Sequence, residues 1–284
     1  MKPSIGCRIS PGNYTPTYFA NVMALNRDFI WDADTPEQRK VIVLSDACVY
    51  EIDKYLDVPK RVAWLMESPV VFEVVGQHQT MKKFVFDNLQ KFDKVMNCDM
   101  RLVRECSSPK VVYQITGSTQ VLPHETKVYD KSKFCSIVAS TKNYFPGHKL
   151  RHKIIRTFPK VFAPLGGGYS SIERKVSGYA DYMFSIAVEN CKVDGHLTDQ
   201  ILDPIACGTV PIYWGTSTIC DLFDPKGIIQ FDDIQQLEQI LASLTPEDYW
   251  SRLPSIKENL RLLNERYRIA EYSMWEGVLA ELYE

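Results

Sequence analysis

The chain has 284 residues, which is enough for one large domain or two of ordinary size. Apolar residues make up 45% of it and charged residues 24%, the proportions of a soluble globular protein. The formal net charge of −2 argues against a nucleic-acid or anionic-membrane surface, and no apolar run reaches the roughly 18 residues of a membrane span.

In the first half of the chain, short apolar runs alternate with helical patterns, which predicts an α/β sheet. The predicted strands are residues 4–10, 41–47, 61–66 and 94–99. The predicted helices are residues 19–26 and 47–56 and a stretch around 79–91. An irregular segment rich in Ser, Thr, Pro and Lys follows at residues 107–133. We therefore predict two domains, residues 1–130 and 131–284.

The second half begins again with a buried strand at residues 134–140. The other predicted strands are 160–165, 210–214 and 228–231, and the predicted helices are 149–158, 197–207, 246–267 and 270–283. Residues 179–188 are predicted as a helix that runs into a strand, and the three glycines at 166–168 as a turn. Together the halves predict an α/β protein with two Rossmann-like domains that face a central cleft.

The cysteines and one acidic triplet bear on whether the chain binds a metal. The eight cysteines are spread along the chain without a C-x-x-C pair, which predicts buried free thiols in a reducing compartment. A zinc site would need clustered ligands, and the five scattered histidines do not supply them. The triplet Asp32-Ala33-Asp34 is a D-x-D pattern that some enzymes use to hold a metal–nucleotide complex, although such triplets also arise by chance.

The most informative segment is FSIAVENCKVDGHLTDQILDPIACGTVPIYWG, at residues 184–215. An apolar run ends in Glu189 and Asn190, a polar loop follows, and Thr198 with Asp199 marks the start of a helix. Thr is a good N-cap residue, and backbone N–H groups at a helix start attract anions. The polar residues gather at one end of a strand–loop–helix–strand unit, the end where nucleotides bind in open α/β sheets.

Three more residues stand where chemistry is expected. Arg151 lies near the start of the helix that follows the strand at 134–140, where a guanidinium can clamp phosphate oxygens; the alternative is an exposed helix face. Glu67 follows the strand at 61–66, where a carboxylate can act as a general base; the alternative is an ordinary carboxylate at a strand end. His196 lies inside the polar loop, whereas the other histidines are scattered.

A known signature resembles this pattern. The run ENCKVDGHLTDQILDPIACGTVPIYWGT is similar to the family-10 glycosyltransferases, the α-1,3/1,4-fucosyltransferases. Their signature is Glu-Asn, a polar loop, aromatic-x-Thr-Glu-Lys, a helix, and then Val/Ile-Pro-Ile/Val-x-x-Gly. The matching positions are Glu189, Asn190, Thr198, Val210, Pro211 and Gly215. The resemblance is strong over residues 134–231 and weak in the first half of the chain.

The resemblance extends outside the signature. STICDLFDPKGIIQFDD looks like the segment that follows the family motif. FCSIVAST with KLRHKIIRTF resembles the family's strand and arginine helix, which places Arg151 at the family's phosphate-binding arginine. RVAWLMESP looks like the segment that carries the family's proposed catalytic glutamate, which is Glu67 here.

From the resemblance we expect a GT-B architecture, with the acceptor bound mainly by the first domain and the donor by the second. Whether the last helix packs back on the first domain is left open. The family transfers L-fucose from GDP-fucose with inversion, and it strictly requires neither a metal nor another cofactor. The expected catalytic residue is Glu67. The expected donor-binding residues are Arg151, Lys142, Glu189, Asn190, His196, Thr198, Asp199 and Gln200.

The sequence departs from the family where phosphate and sugar should meet. Asp199-Gln200 stands where the family has Glu-Lys, and His196 replaces the aromatic residue. Gln cannot supply the positive charge of a Lys. The cations available to make up the charge are Arg151, Lys142, Lys149 and Lys192. The alternatives are a different donor such as UDP-xylose, a relative that binds glycan or nucleotide without catalysis, and a metal-dependent transferase that uses the D-x-D triplet.

The expected partners are a sugar nucleotide and a glycan acceptor, with no nucleic acid and no transmembrane segment. The N-terminus, MKPSIGCRIS, lacks the apolar core of a signal peptide, whereas animal and plant members of the family carry a secretory anchor. We therefore expect a cytoplasmic enzyme, bacterial or, if viral, in the host cytoplasm, that acts on cytosolic glycans.

Overall fold

Parallel strands form both sheets of the protein. The computed structural model describes residues 2–9, 25–68, 70, 78–162 and 164–284. The predicted helix at residues 19–26 falls largely outside these ranges. The chain divides into two compact units. Unit 1 is drawn from residues 1–116, 194–196 and 269–284, and unit 2 from residues 117–193 and 197–268.

Unit 1 contains a parallel sheet with the strand order β2-β1-β3-β4-β5-β6. Its strands are β1 (Ser4–Arg8), β2 (Ile30–Asp32), β3 (Val41–Ser45), β4 (Lys60–Leu65), β5 (Lys94–Asn97) and β6 (Val111–Tyr113). Its helical segments are Pro36–Gln38, Asp46–Tyr55, His78–Asp87, Leu89–Lys91, Met100–Glu105, Ala270–Met274, Trp275–Leu279 and Ala280–Tyr283.

Both faces of the unit 1 sheet are covered. Val41 and Val43 of β3 pack on one face, in a cluster with residues from 269–282. Ile42 and Leu44 pack on the other face, against the helical segments that follow β3 and β4. A strand buried on both faces needs apolar residues at every position rather than at alternate ones. The continuous run VIVL therefore forms a central strand.

Unit 2 contains a parallel sheet with the strand order β11-β10-β9-β7-β8. Its strands are β7 (Lys133–Val138), β8 (Pro164–Leu165), β9 (Tyr182–Val188), β10 (Val210–Trp214) and β11 (Ile229–Gln230). The chain passes from β7 to β8 on one side and then to β9 on the other side of β7. The strand order therefore reverses between β7 and β9.

The helical segments of unit 2 are Pro146–Thr157, Pro123–Glu125, Lys175–Gly178, Asp199–Ala206, Ile219–Leu222, Pro225–Gly227, Ile234–Ser243, Pro246–Ser251, Leu253–Leu262 and Leu263–Tyr267. We call Pro146–Thr157 the arginine helix and Asp199–Ala206 the threonine helix. Gly208 follows the end of the threonine helix, and its φ of +63° suits a glycine. The amides of Gly208 and Thr209 bond back to the carbonyls of Ile205 and Pro204, which satisfies the helix end.

The passage between the units differs from the predicted boundary at residues 130 and 131. In the structure the chain enters unit 2 after Thr116. The following segment bonds to the threonine helix, because Thr119 donates to Asp203 at 2.8 Å and the amide of Lys127 to Ala206 at 3.2 Å. At the other end, residues 269–284 return to unit 1 and cover its sheet.

Most predicted strands are present, with some differences. β2 and β6 were not predicted, and each has three residues, too few for a clear pattern. The strand predicted at 160–165 is a turn at 160–161 and forms a strand at Pro164–Leu165. The helix Ile234–Ser243 was not predicted, and the two predicted C-terminal helices are interrupted by π turns at Leu263–Tyr267 and Trp275–Leu279.

The cysteine prediction is confirmed as far as the thiols are concerned. All eight cysteines are free, and six of them are buried. Burial raises the pKa of Cys7, Cys135 and Cys207 to about 12, so these thiols stay protonated and behave as small apolar groups. Within the described ranges, no helix is both long and apolar enough to cross a membrane.

Candidate active site

A polar cavity of about 490 Å³ opens at the carboxyl edge of the unit 2 sheet. Segments that follow β7, β8 and β9 line it, together with the start of the threonine helix. The strand order reverses among these strands, and ligands of open α/β sheets bind in the crevice outside such a reversal. The chain topology therefore explains why a cavity lies where the sequence predicts a nucleotide.

Arg151 is buried and forms part of the cavity wall. The residue is 6% exposed and lines the cavity from the arginine helix. Its Nη2 donates to Asn190 Oδ1 at 2.9 Å, whereas its Nε is buried and has no hydrogen-bond partner in the described part of the chain. Burial lowers the pKa of Arg151, but a guanidinium keeps its charge in proteins. An anionic ligand would satisfy donors of the guanidinium that the protein leaves without a partner.

The arginine helix begins against the end of β9. The amide of Gly147 donates to the carbonyl of Asn190 at 2.9 Å, and a Cβ added at Gly147 would overlap the carbonyl oxygen of Glu189. Glycine therefore allows the close approach that sets Arg151 beside Asn190. His148 also lines the cavity, and burial lowers its pKa to about 4. It is neutral at pH 7 and adds no charge to the site.

Glu189 lies behind the cavity wall rather than in it. It is fully buried, and its two carboxylate oxygens accept from the amide of Thr198 at 3.0 Å and from the Thr198 hydroxyl at 2.6 Å. Burial raises the pKa of Glu189 to about 7 although the Thr198 hydrogen bonds lower it. In this arrangement its carboxylate orients Thr198, and a contact of Glu189 with the nucleotide stays a prediction.

Thr198 and Asp199 line the cavity, together with Asn190 and Gln200. Thr198 caps its helix, because Oγ1 accepts from the amide of Gln200 at 3.2 Å. Asp199 is already paired. Its Oδ2 accepts from Lys175 Nζ at 2.8 Å and from Gln120 Nε2 at 3.1 Å. The carboxylate that the family resemblance assigns to the nucleotide is therefore held by two side chains of the protein.

Lys175 is the site residue that the sequence analysis missed. It lines the cavity and its Nζ also lies 3.5 Å from Oδ2 of the fully buried Asp203. Burial lowers the pKa of Lys175, but the charges of Asp199, Tyr179 and Asp203 outweigh it and raise the pKa above its ordinary value. The pKa of Asp203 is also raised, to about 6, because the effect of burial is larger than the lowering by the charge of Lys175.

The four proposed cations separate into two groups. Arg151 and Lys142 line the cavity. Lys149 is exposed, and Lys192 pairs with Asp232 instead. The glycine turn also contributes, since Gly166 and Gly167 form part of the wall.

His196 lies away from this cavity and belongs to unit 1. It is 4% exposed, and its Nδ1 lies 3.7 Å from Cys98 Sγ. Burial lowers the pKa of His196 to about 4. The residues before it are fixed as well, because Asp194 pairs with Arg104 at 2.8 Å and the Gly195 carbonyl accepts from Tyr113 at 2.9 Å. His196 is buried and does not line the cavity, so its expected role in donor binding stays a prediction.

Glu67 lies two residues after the end of β4, at the carboxyl edge of the unit 1 sheet. Its backbone is held by Asp46, which is 2% exposed. Oδ1 of Asp46 accepts from the amides of Met66 at 2.9 Å and Glu67 at 3.4 Å. Asp46 adopts φ +41°, a conformation uncommon outside glycine and most accessible to Asn and Asp. A strained, buried aspartate therefore positions the segment that carries Glu67.

The D-x-D triplet serves a local turn. Asp32 accepts from the amides of Thr35 at 2.9 Å and Asp34 at 3.0 Å and pairs with Arg39. These bonds, the Thr35 amide foremost, lower the pKa of Asp32 to about 2. Across the described residues, no three His, Cys, Asp or Glu side chains are grouped so that they could hold a metal ion.

Comparisons with known proteins find fucosyltransferases among the similar sequences. No protein-family model matches the chain. The chain is 26% identical over 117 residues to an α-(1,3)-fucosyltransferase of Helicobacter pylori, a stretch that covers 39% of this chain and 24% of that protein. It is 30% identical over 61 residues to an α-(1,4)-fucosyltransferase of Arabidopsis thaliana, covering 22% of this chain and 15% of that protein. The matches thus span about a quarter or less of these relatives.

Solved structures agree in fold. An α1,3-fucosyltransferase in complex with GDP-fucose superposes with a TM-score of 0.55 at 16% identity, covering 92% of this chain and 89% of that one. In sequence and in fold, the chain is similar to the fucosyltransferases. TarM superposes with a TM-score of 0.58 at 10% identity, covering 86% of this chain and 54% of that one. At these identities the likeness concerns the fold alone, and it confirms the predicted α/β fold of GT-B type.

Proposed function

We propose that the chain is a glycosyltransferase that transfers a sugar, L-fucose from GDP-fucose in the first instance, to a hydroxyl of a glycan with inversion. The observation that carries the proposal is Arg151, a buried guanidinium on the wall of a cavity at the strand-order reversal of unit 2. Its Nε has no hydrogen-bond partner among the described residues. A buried cation at this position needs an anion, and a nucleoside diphosphate supplies one. The fucosyltransferase relatives suggest the sugar.

The reaction proposed is a single displacement. Glu67 takes the proton of the acceptor hydroxyl while that oxygen bonds to the anomeric carbon. The bond between the anomeric carbon and the diphosphate breaks, and its electron pair stays on the phosphate oxygen. Arg151 stabilises the charge that grows on the departing diphosphate. No metal takes part in this scheme, and full activity in excess chelator is the expected outcome of that test.

The nucleotide and sugar are the finer part of the proposal. Asp199-Gln200 replaces the family's Glu-Lys, and Asp199 already accepts hydrogen bonds from Lys175 and Gln120. This arrangement favours testing other donors beside GDP-fucose. Thermal unfolding with GDP, UDP and the corresponding sugar nucleotides ranks them, because a ligand that binds only the folded chain stabilises it by mass action, by about 2.7 kcal/mol at one hundred times its Kd.

Calorimetry on matched variants tests the anion site. Arg151→Gln should raise the Kd of the preferred nucleoside diphosphate tenfold or more, the effect of losing hydrogen bonds to a charged group. Lys153→Gln removes an exposed cation of the same helix and should leave the Kd within twofold. Equal affinities for wild type and Arg151→Gln would sink the proposed site.

Transfer assays with mixed glycan acceptors test the chemistry. Glu67→Gln should reduce turnover by two orders of magnitude or more, the range for loss of a general base, while donor binding persists. Undiminished turnover would remove Glu67 from the mechanism. Tight donor binding by the wild-type chain without turnover or hydrolysis on any acceptor would instead favour the non-catalytic binding protein.

A further inference from the structure

The cavity holds a cation that no family motif predicts. Lys175 lies 24 residues before Asp199 in the sequence, and its Nζ contacts Asp199 Oδ2 at 2.8 Å. Its side chain is 24% exposed and lines the same cavity as Arg151 and Gln200. Two residues therefore line this cavity together with Arg151: Gln200, which is neutral where the family has a lysine, and Lys175, which carries a charge.

The contacts of Lys175 hold its ammonium group in place but do not occupy all of its N–H donors. An ammonium has three N–H donors. In the described part of the chain its ion-pair partners are Asp199 at 2.8 Å and Asp203 at 3.5 Å. Asp203 is tied to a separate segment, because it accepts from Thr119 at 2.8 Å and from the amide of Gln120 at 2.7 Å. The two carboxylates hold the cation at the cavity wall, and its remaining donor is available to a ligand.

We propose that Lys175 binds the diphosphate of the sugar nucleotide and supplies, from a different segment, the positive charge that Gln200 lacks. This inference rests on the proposed function, since it needs a nucleoside diphosphate in the cavity. Arg151 and Lys175 then form a pair of cations, one buried and one partly exposed, on the wall of a single pocket. Asp199 then has two roles: it positions Lys175 and it faces the ligand.

The alternative role for Lys175 is purely structural. In that case it neutralises Asp199 and Asp203 and makes no contact with a ligand. Its removal would then lower the stability of unit 2 and weaken a nucleoside and a nucleoside diphosphate equally. A role at the diphosphate weakens only the ligand that carries phosphates.

Isothermal titration of the full chain separates the two roles. The probes are GDP and guanosine, or UDP and uridine if the wild-type chain prefers uracil. Lys175→Gln should raise the Kd of the diphosphate tenfold or more, the effect of losing a hydrogen bond to a charged group, and change the Kd of the nucleoside less than twofold. Lys175→Arg should keep most of the affinity for the diphosphate.

A second substitution moves the charge back to the family position. Lys175→Gln with Gln200→Lys should recover at least part of the lost affinity, because both side chains line one cavity. Lys133→Gln is the matched control. It removes a lysine of unit 2 that pairs with Asp181 at 3.0 Å at the start of β7, and it should leave both affinities unchanged.

Each result decides the matter. Equal loss for diphosphate and nucleoside, or full affinity in Lys175→Gln, would overturn the role of Lys175 while the proposed function stands. Failure of any nucleoside diphosphate to bind the wild-type chain would overturn both. If Lys175→Gln does not fold, Lys175→Gln with Asp199→Asn decides, because it removes the cation together with a carboxylate that the cation neutralises. A Kd for the diphosphate at least tenfold that of Asp199→Asn alone, with an unchanged Kd for the nucleoside, supports the role of Lys175, and equal Kd values for the diphosphate contradict it.

Discussion

Replacing Glu189 by Gln should change how the stability of the protein depends on pH. The substitution keeps the size and shape of the side chain but removes its proton equilibrium. The carbonyl of Gln can still accept from the amide of Thr198, and its NH₂ can donate to the Thr198 hydroxyl oxygen in place of the present bond. The hydrogen bonds between residues 189 and 198 are therefore rearranged but not lost.

The size of the effect follows from the buried position. Burial raises the pKa of Glu189 from 4.5 to about 7, so the folded chain holds this proton over a pH range in which the unfolded chain has released it. Stability from this group is fully present below pH 4.5 and is lost as the pH rises through 7. At 1.36 kcal/mol for each pH unit, the free energy of unfolding falls by about 3 kcal/mol across this window.

Urea unfolding of both proteins, followed by tryptophan fluorescence at half-unit steps from pH 4 to pH 8, measures this difference. The free energy of unfolding of Glu189→Gln minus that of the wild type should rise by about 3 kcal/mol between pH 4.5 and 7.5. Contributions of other groups, including the buried histidines that act in the opposite direction, cancel in this subtraction. A difference that stays constant with pH would mean that Glu189 is ionised in the folded chain and that its buried, paired position is wrong.

Two further substitutions test the elements that seat the site. Gly147→Ala should lower the free energy of unfolding by about 1–3 kcal/mol, the range for overpacking, and weaken nucleotide binding, because the added Cβ would overlap the backbone at the end of β9. The control is Gly277→Ala, which has open space around the added Cβ and should be neutral or slightly stabilising in urea. Asp46→Ala should lower the free energy of unfolding by about 1–3 kcal/mol and slow the proposed transfer, because the segment that carries Glu67 loses its support. Asp46→Asn keeps a hydrogen-bond acceptor and should retain most of the stability and most of the turnover. Equal effects of the Ala and Asn variants would contradict the positioning role of Asp46.

Local sequence patterns explain why part of the site was predictable. Arg151, Asn190 and Thr198 each stand next to a strand or at a helix start, and parallel strands bring their carboxyl ends to one edge. The positions followed from the elements, without knowledge of side-chain direction. The same logic placed Glu67 after β4.

The failures concern the direction of side chains and contacts between distant segments. Nothing in the pattern around Glu189 indicates that its carboxylate turns inward to Thr198, nor that His196 packs against Cys98. Lys175 lies in a short 3-10 helix with no apolar periodicity, and its partner is 24 residues away. Short strands such as β2 were missed because three residues carry too little pattern for a sequence argument.

The return of residues 269–284 to unit 1 limits how this protein can be divided or recombined. A fragment that stops after Thr116 would leave Val41, Val43 and Trp64 without the C-terminal residues that cover them. Exposed apolar area of that kind promotes aggregation. A chimaera that exchanges the first half for that of a protein of the same fold would therefore have to exchange the last 16 residues with it. An exchangeable form of unit 1 therefore consists of both ends of the polypeptide, and not of its first half alone.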